Sequence, residues 1–146
     1  MIDADAACTV QVLAAERTFW EKACLLHEET FRPADKQRKH RMARHYYDLW
    51  CLLRAGVGER ALADTALFQR VTEHREIFFL YSWVDYTTHQ PGTFRLEPPA
   101  THLANWRNDY ADMLGPMFYG DVTTFDDMIA AATDFALRFN ATAPKV

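Results

Sequence analysis

A chain of 146 residues that is 49% hydrophobic and 25% charged, with 5 Gly and 6 Pro, has the balance of one folded domain and excludes a disordered or collagen-like polymer. Its 3 Cys form no CxxC pair, against a disulfide framework or zinc ribbon, and no stretch approaches the roughly 20 apolar residues of a membrane span. Asp3 and Asp5 stand where a signal peptide carries basic residues, so a cytoplasmic protein with no membrane partner is expected. The net charge of -4 excludes a generic polyanion binder. Of the 16 Lys and Arg, however, six (Arg32, Lys36, Arg38, Lys39, Arg41 and Arg44) crowd one segment against the acid Asp35, a local patch able to attract phosphate.

In chain order, Met1 to Thr9 reads as a frayed end and Val10–Leu13 as a short strand. From Glu16 to Phe31, Phe19, Trp20, Ala23, Cys24, Leu26 and His27 recur at helical spacing, with Glu16, Glu21, Glu28 and Glu29 on the outer surface. Arg32-Pro33 ends this helix, because Pro cannot continue the hydrogen-bond ladder. Met42, Tyr46, Leu49 and Leu53 predict a second helix over Lys36–Arg54, stopped at Gly56. One or two helices follow between Gly58 and Leu80, with Ile77-Phe78-Phe79-Leu80 as a buried end. Pro91-Gly92 is a turn and Thr93–Leu96 is extended. A helix starting near Thr101 turns Leu103, Trp106, Tyr110, Met113 and Leu114 inward. Thr123 or Thr124 caps the last helix, with Phe125, Met128, Ile129, Phe135 and Leu137 on its packed side.

The fold class is therefore mainly α: a single domain, 1–146, built as a bundle of about five helices with at most a minor β element near the N-terminus. Its predicted core is Phe19, Ala23, Leu26, Met42, Tyr46, Leu49, Leu53, Phe78, Phe79, Trp106, Tyr110, Ile129 and Phe135.

Gly-rich phosphate loops, HExxH, GxSxG and EF-hand loops are missing, and the six His show no zinc spacing. Asp3-Ala4-Asp5 is formally a DxD, but it stands at a terminus with no strand before it. The informative segment is Arg41 to Trp50. On a helix, Arg41, Arg44, His45 and Asp48 share one face, either as a solvated surface with an Arg44–Asp48 salt bridge or as an anion site in which Asp48 orients a basic group. Lys22 on the preceding helix is the companion cation. A short turn at Arg32-Pro33 would make the two helices antiparallel neighbours and set Lys22 opposite Asp48.

The string Glu16-Arg17-Thr18-Phe19-Trp20-Glu21-Lys22 with Leu26-His27, followed by Arg44-His45-Tyr46-Tyr47-Asp48-Leu49, resembles the C-terminal half of the AbiEii/AbiGii abortive-infection toxin nucleotidyltransferases. Phe79, Trp83, Tyr86, Pro91-Gly92, Leu96, Pro98-Pro99, Asp109-Tyr110, Met113, Phe118-Tyr119-Gly120, Phe125 and Asn140 continue the same order, so the resemblance extends from about Val10 to Asn140. It implies a polymerase-beta-like superfamily in which an N-terminal palm carries a Gly-Gly or Gly-Ser turn and a magnesium-holding DxD. The helical half supplies a lysine for the nucleotide phosphates and an active-site aspartate. These roles fall on Lys22 and Asp48 as catalytic residues, with Arg41, Arg44 and His45 as phosphate-binding neighbours.

The resemblance implies transfer of a nucleotide from a nucleoside triphosphate to an RNA or protein acceptor, countered by an antitoxin. This chain begins where the palm should end, so no metal site and no cofactor are expected within it, and magnesium enters only with a separately encoded palm. On this reading the isolated chain is inactive. The alternative is a non-catalytic interaction module that binds an antitoxin-like protein or RNA through the basic patch.

Overall fold

The computed structural model describes residues 2–117 and 123–144, with side chains at 15–114 and 123–144. Six α-helices follow in order: α1 (Ile2–Glu29), α2 (Arg44–Arg54), α3 (Val57–Ala63), α4 (Thr65–Phe78), α5 (Leu103–Met117) and α6 (Phe125–Asn140). There is no strand among the described residues. Short 3-10 turns at Tyr86–Thr88 and Ala100–His102 punctuate the long connection between α4 and α5.

The expected N-terminal strand is replaced by helix, since Val10–Leu13 lies within α1, as do Ile2 to Thr9. The Ala-rich sequence on both sides favours helix, and a lone strand has nothing to pair with. The Asp3 and Asp5 side chains and Phe118-Tyr119-Gly120 lie outside what is described.

Trp20 is the centre of the core. Fully buried, it sits within 6.4 Å, ring centre to ring centre, of Phe19, Phe68, Phe94, Phe135 and Phe139. Its indole N–H donates to the Ala61 carbonyl at 3.2 Å, which satisfies the buried donor. One residue thus ties α1 to α3, α4 and α6. Phe19, Ala23, Leu26, Tyr46, Leu49, Trp106, Tyr110 and Phe135 are buried as expected, and Met42, Leu53 and Ile129 pack partly buried against them. Gly56, at φ +83°, turns the chain from α2 into α3. A Cβ at Gly58 would stand 2.6 Å from the Leu53 side chain, so glycine permits the close approach of these two helices.

Three expectations fail for identifiable reasons. The second helix begins at Arg44 rather than Lys36, because Arg41 takes a left-handed conformation (φ 66°) that interrupts a right-handed helix. Phe78 and Phe79 are not core, and the run is not a buried end: Ile77 is 72%, Phe78 67% and Leu80 72% exposed. They continue the α4 sequence beyond the face that Leu67, Phe68, Val71 and Arg75 bury. Leu137 likewise faces outward from α6, whose packed side carries Phe125, Met128, Ala132, Phe135, Ala136 and Phe139.

Thr93–Leu96 forms no strand, but Phe94 and Leu96 are buried. Asn140, the last residue of α6, takes the place of a partner strand: its Oδ1 accepts from the Gly92 and Phe94 N–H groups and its Nδ2 donates to the Phe94 carbonyl. Thr124 caps α6 by accepting from the Asp127 N–H at 3.0 Å.

Candidate functional site

The apolar positions Phe19, Trp20, Ala23 and Leu26 fix the rotation of α1, and with them buried, Lys22 falls on the flank that meets α2. Tyr46 and Leu49 do the same for α2 and leave His45 and Asp48 on the side towards Lys22. The Lys22 Nζ lies 3.0 Å from Asp48 Oδ2 and 3.3 Å from His45 Nδ1. The two side chains of the ion pair are 20% and 37% exposed, so the ammonium is held at a rim that solvent reaches.

Burial, and then the neighbouring Lys22 cation, push the His45 imidazole down to about 4. At neutral pH it is uncharged, and the Lys22 ammonium donates to Nδ1. That bond assigns the ring proton to Nε2, leaving an N–H donor on the far side of the ring. An ammonium has three N–H groups; Asp48 and His45 take two, and the third has no partner among the described residues. The three side chains form a fixed donor arrangement in which Asp48 offsets the lysine charge.

Arg44 is exposed at the first position of α2. Its side chain makes no hydrogen bond or ion pair among the described residues, although its charge also disfavours protonation of His45. Arg41 is not on the α2 face, since its backbone leaves the helical region at that residue. The expected single face of Arg41, Arg44, His45 and Asp48 therefore reduces to the last three. The connection between the helices is also longer than an Arg32-Pro33 turn, because residues 36–43 are not helical.

Sequence reasoning placed Glu28 and Glu29 on the surface, and both are buried. Glu28 receives two hydrogen bonds from Arg75 of α4, at 2.7 and 2.8 Å, and stands 2.9 Å from His89 Nε2. Glu29 is gripped by Arg32 and Arg38, at 2.8 and 2.7 Å. Burial raises the Glu29 carboxyl, but the two guanidinium groups outweigh it and hold the group below its ordinary range. The signal was in the spacing: Glu28 follows Trp20, Cys24 and His27 by eight, four and one residues, on the same buried face. What the sequence could not disclose is the arginine from 47 residues away that makes burial tolerable.

Among the described residues no group of three or more His, Cys, Asp or Glu is arranged to hold a metal ion. The residues around Lys22 offer a single carboxylate, Asp48, and it is engaged by the lysine.

These features define a helical fold in which a lysine ammonium is anchored between a carboxylate and an imidazole at a rim that solvent reaches. The family model for the nucleotidyl transferase AbiEii toxin, of a type IV toxin–antitoxin system, matches residues 1–131. The chain belongs to the AbiEii family. No curated protein and no solved structure matches it. No helix of the described residues is long and apolar enough to cross a membrane.

Proposed function

We propose that this chain forms the phosphate-binding part of a nucleotidyltransferase toxin site, with Lys22 neutralising the phosphates of a nucleoside triphosphate and Asp48 fixing the lysine. The observation that carries this reading is the Lys22 ammonium, held between Asp48 and His45 yet partly open to solvent. In the reaction, an acceptor hydroxyl bonds to the α-phosphorus while the bond to the departing pyrophosphate breaks. Such a transfer depends on positioning and charge neutralisation more than on covalent help. His45 presents its Nε2–H, and Arg44 supplies the positive charge that the balanced Lys22–Asp48 pair does not.

The carboxylates for magnesium come, on this reading, from outside the described residues, on a palm that docks against this domain. The exposed run Ile77, Phe78 and Leu80 supports a protein partner on this face, since contiguous apolar surface of this kind marks interaction sites. Family membership makes an antitoxin a further partner, with RNA or protein as the acceptor.

The test is magnesium-dependent incorporation of labelled nucleoside triphosphates into total RNA and protein, with and without a polypeptide bearing the Gly-Gly turn and DxD. Incorporation is expected with that polypeptide and lost in Asp48→Asn and Lys22→Ala. Incorporation by the chain alone, or insensitivity to both substitutions, contradicts the proposal.

A further inference from the structure

A cavity of about 430 Å³ opens between the loop that follows α1 and the start of α5, lined by Arg32, Lys36, Arg38, Thr101, His102 and Asn105, with Asp35 among its walls. Glu29 lies beneath it, seven residues after Lys22 and so on the same side of α1, about 10 Å further along the helix. We propose that this cleft is a second phosphate-binding site, distinct from Lys22–Asp48, that takes a free phosphate or the terminal phosphate of a phosphomonoester.

The charge count comes first. Glu29 is one carboxylate shared between two guanidinium groups. One positive charge is left over beside a side chain, Arg38, that is 5% exposed. A buried charge without a counter-ion is costly. Trp106 relieves part of this, its ring lying 4.0 Å from the Arg38 guanidinium carbon, but the ring covers only the face and leaves the edge. Lys36 offsets Asp35, so the surplus remains with the arginines.

The donors come next. A guanidinium has five N–H groups. Arg38 spends one on Glu29, one on Asn105 Oδ1 and one on His102 Nδ1. Arg32 spends two on Glu29 and reaches the Gln37 carbonyl at 3.5 Å. Each arginine keeps N–H groups to give.

The same bonds orient the neighbours. Asn105 accepts through its oxygen, which leaves its NH₂ to donate. Burial, and then the Arg38 charge, hold the His102 imidazole below its ordinary range. It is neutral, accepts at Nδ1 and carries its proton on Nε2. The cleft therefore meets a ligand with donors from two sides, Arg32, Lys36 and Arg38 from the loop and Asn105 and His102 from the start of α5 and the turn before it. Donors facing one another across the cleft suit the several oxygens of a phosphate better than a planar carboxylate.

The experiment is calorimetric titration of the full chain with inorganic phosphate, then with a 5′-phosphorylated ribo-oligonucleotide and its 5′-hydroxyl counterpart. Lys36 is exposed and Arg32 lies at the rim, so Lys36→Gln and Arg32→Gln leave the Arg38–Glu29 anchor in place. Phosphate affinity should fall about tenfold in each and stay unchanged in Lys22→Ala. Displacement of phosphate by the 5′-phosphorylated oligonucleotide alone identifies a nucleic-acid end as the source, and displacement by neither identifies free phosphate. Absence of phosphate binding, or binding lost in Lys22→Ala but retained in Arg32→Gln and Lys36→Gln, overturns the second site and leaves the test of the first intact.

Discussion

Asp109, on α5, accepts the backbone N–H groups of Arg41 and Ala43 at 2.6 and 2.7 Å. The residue at the N-cap of α2, Ala43, has no capping side chain of its own; the first N–H groups of the helix turn back to the carbonyls of Arg41, Met42 and Ala43, and an aspartate from a distant helix holds the turn that supplies them. It also stabilises the left-handed turn at Arg41 and thereby sets where α2 begins.

Asp109→Ala should destabilise the fold by about 1.5–3 kcal/mol, as expected for hydrogen bonds to a charged acceptor. Arg41→Gly should gain up to about 1 kcal/mol by relieving the left-handed residue. Urea unfolding measures both, and an unchanged midpoint in Asp109→Ala refutes the role of Asp109 in holding this turn.

Leu49, next to Asp48 in sequence on α2, is fully buried. Leu49→Ala should cost about 2–5 kcal/mol by thermal or urea unfolding. A near-neutral effect would mean that α2 packs by a different face.

The Glu28–Arg75 pair behaves differently from surface ion pairs because both side chains are almost fully buried. Arg75→Met alone should cost about 3–5 kcal/mol by leaving a buried carboxylate short of its counter-charge, whereas adding Glu28→Met should recover part of that loss. A double variant no more stable than the single one contradicts this.

His27 governs the response to acid. Burial, and then the adjacent His89, push its imidazole down to about 3. It stacks on Phe94 and accepts the Arg95 N–H at 2.9 Å through Nδ1, which requires the neutral ring. Between about pH 6.5 and pH 3 the unfolded chain binds a proton that the folded chain refuses, so stability falls as pH falls, by up to about 1.4 kcal/mol per unit from this group. His45, more open to solvent, contributes in the same direction. Unfolding measured across this range should be flatter in His27→Gln, and an unchanged slope would exclude His27 as the source.

The helical class and most of the core were legible in the residues because apolar side chains recurring at 3.6-residue spacing leave little choice of packed face, as Phe19, Ala23 and Leu26 on α1 illustrate. Patterning could not place the start of α2, since the decisive contact, Asp109 to Arg41, spans 68 residues. Nor does hydrophobicity alone decide burial. Ile77-Phe78-Phe79-Leu80 is the greasiest run in that segment, yet α4 buries its other face and leaves the run outside. The Lys22–Asp48–His45 arrangement needed both helices and their rotation about their own axes. The family motif named two of these residues as catalytic, whereas the neutral, lysine-bound state of His45 follows from its burial.

The most direct measurement is titration of the chain with a non-hydrolysable nucleoside triphosphate, compared among the unmodified protein, Lys22→Ala and Lys22→Arg. Lys22→Ala should weaken binding about tenfold or more, the scale of a lost charge-assisted contact, while Lys22→Arg keeps part of it and both variants stay folded. Equal affinity in all three would show that Lys22 and Asp48 only tie α1 to α2, and would contradict their role in holding a nucleotide.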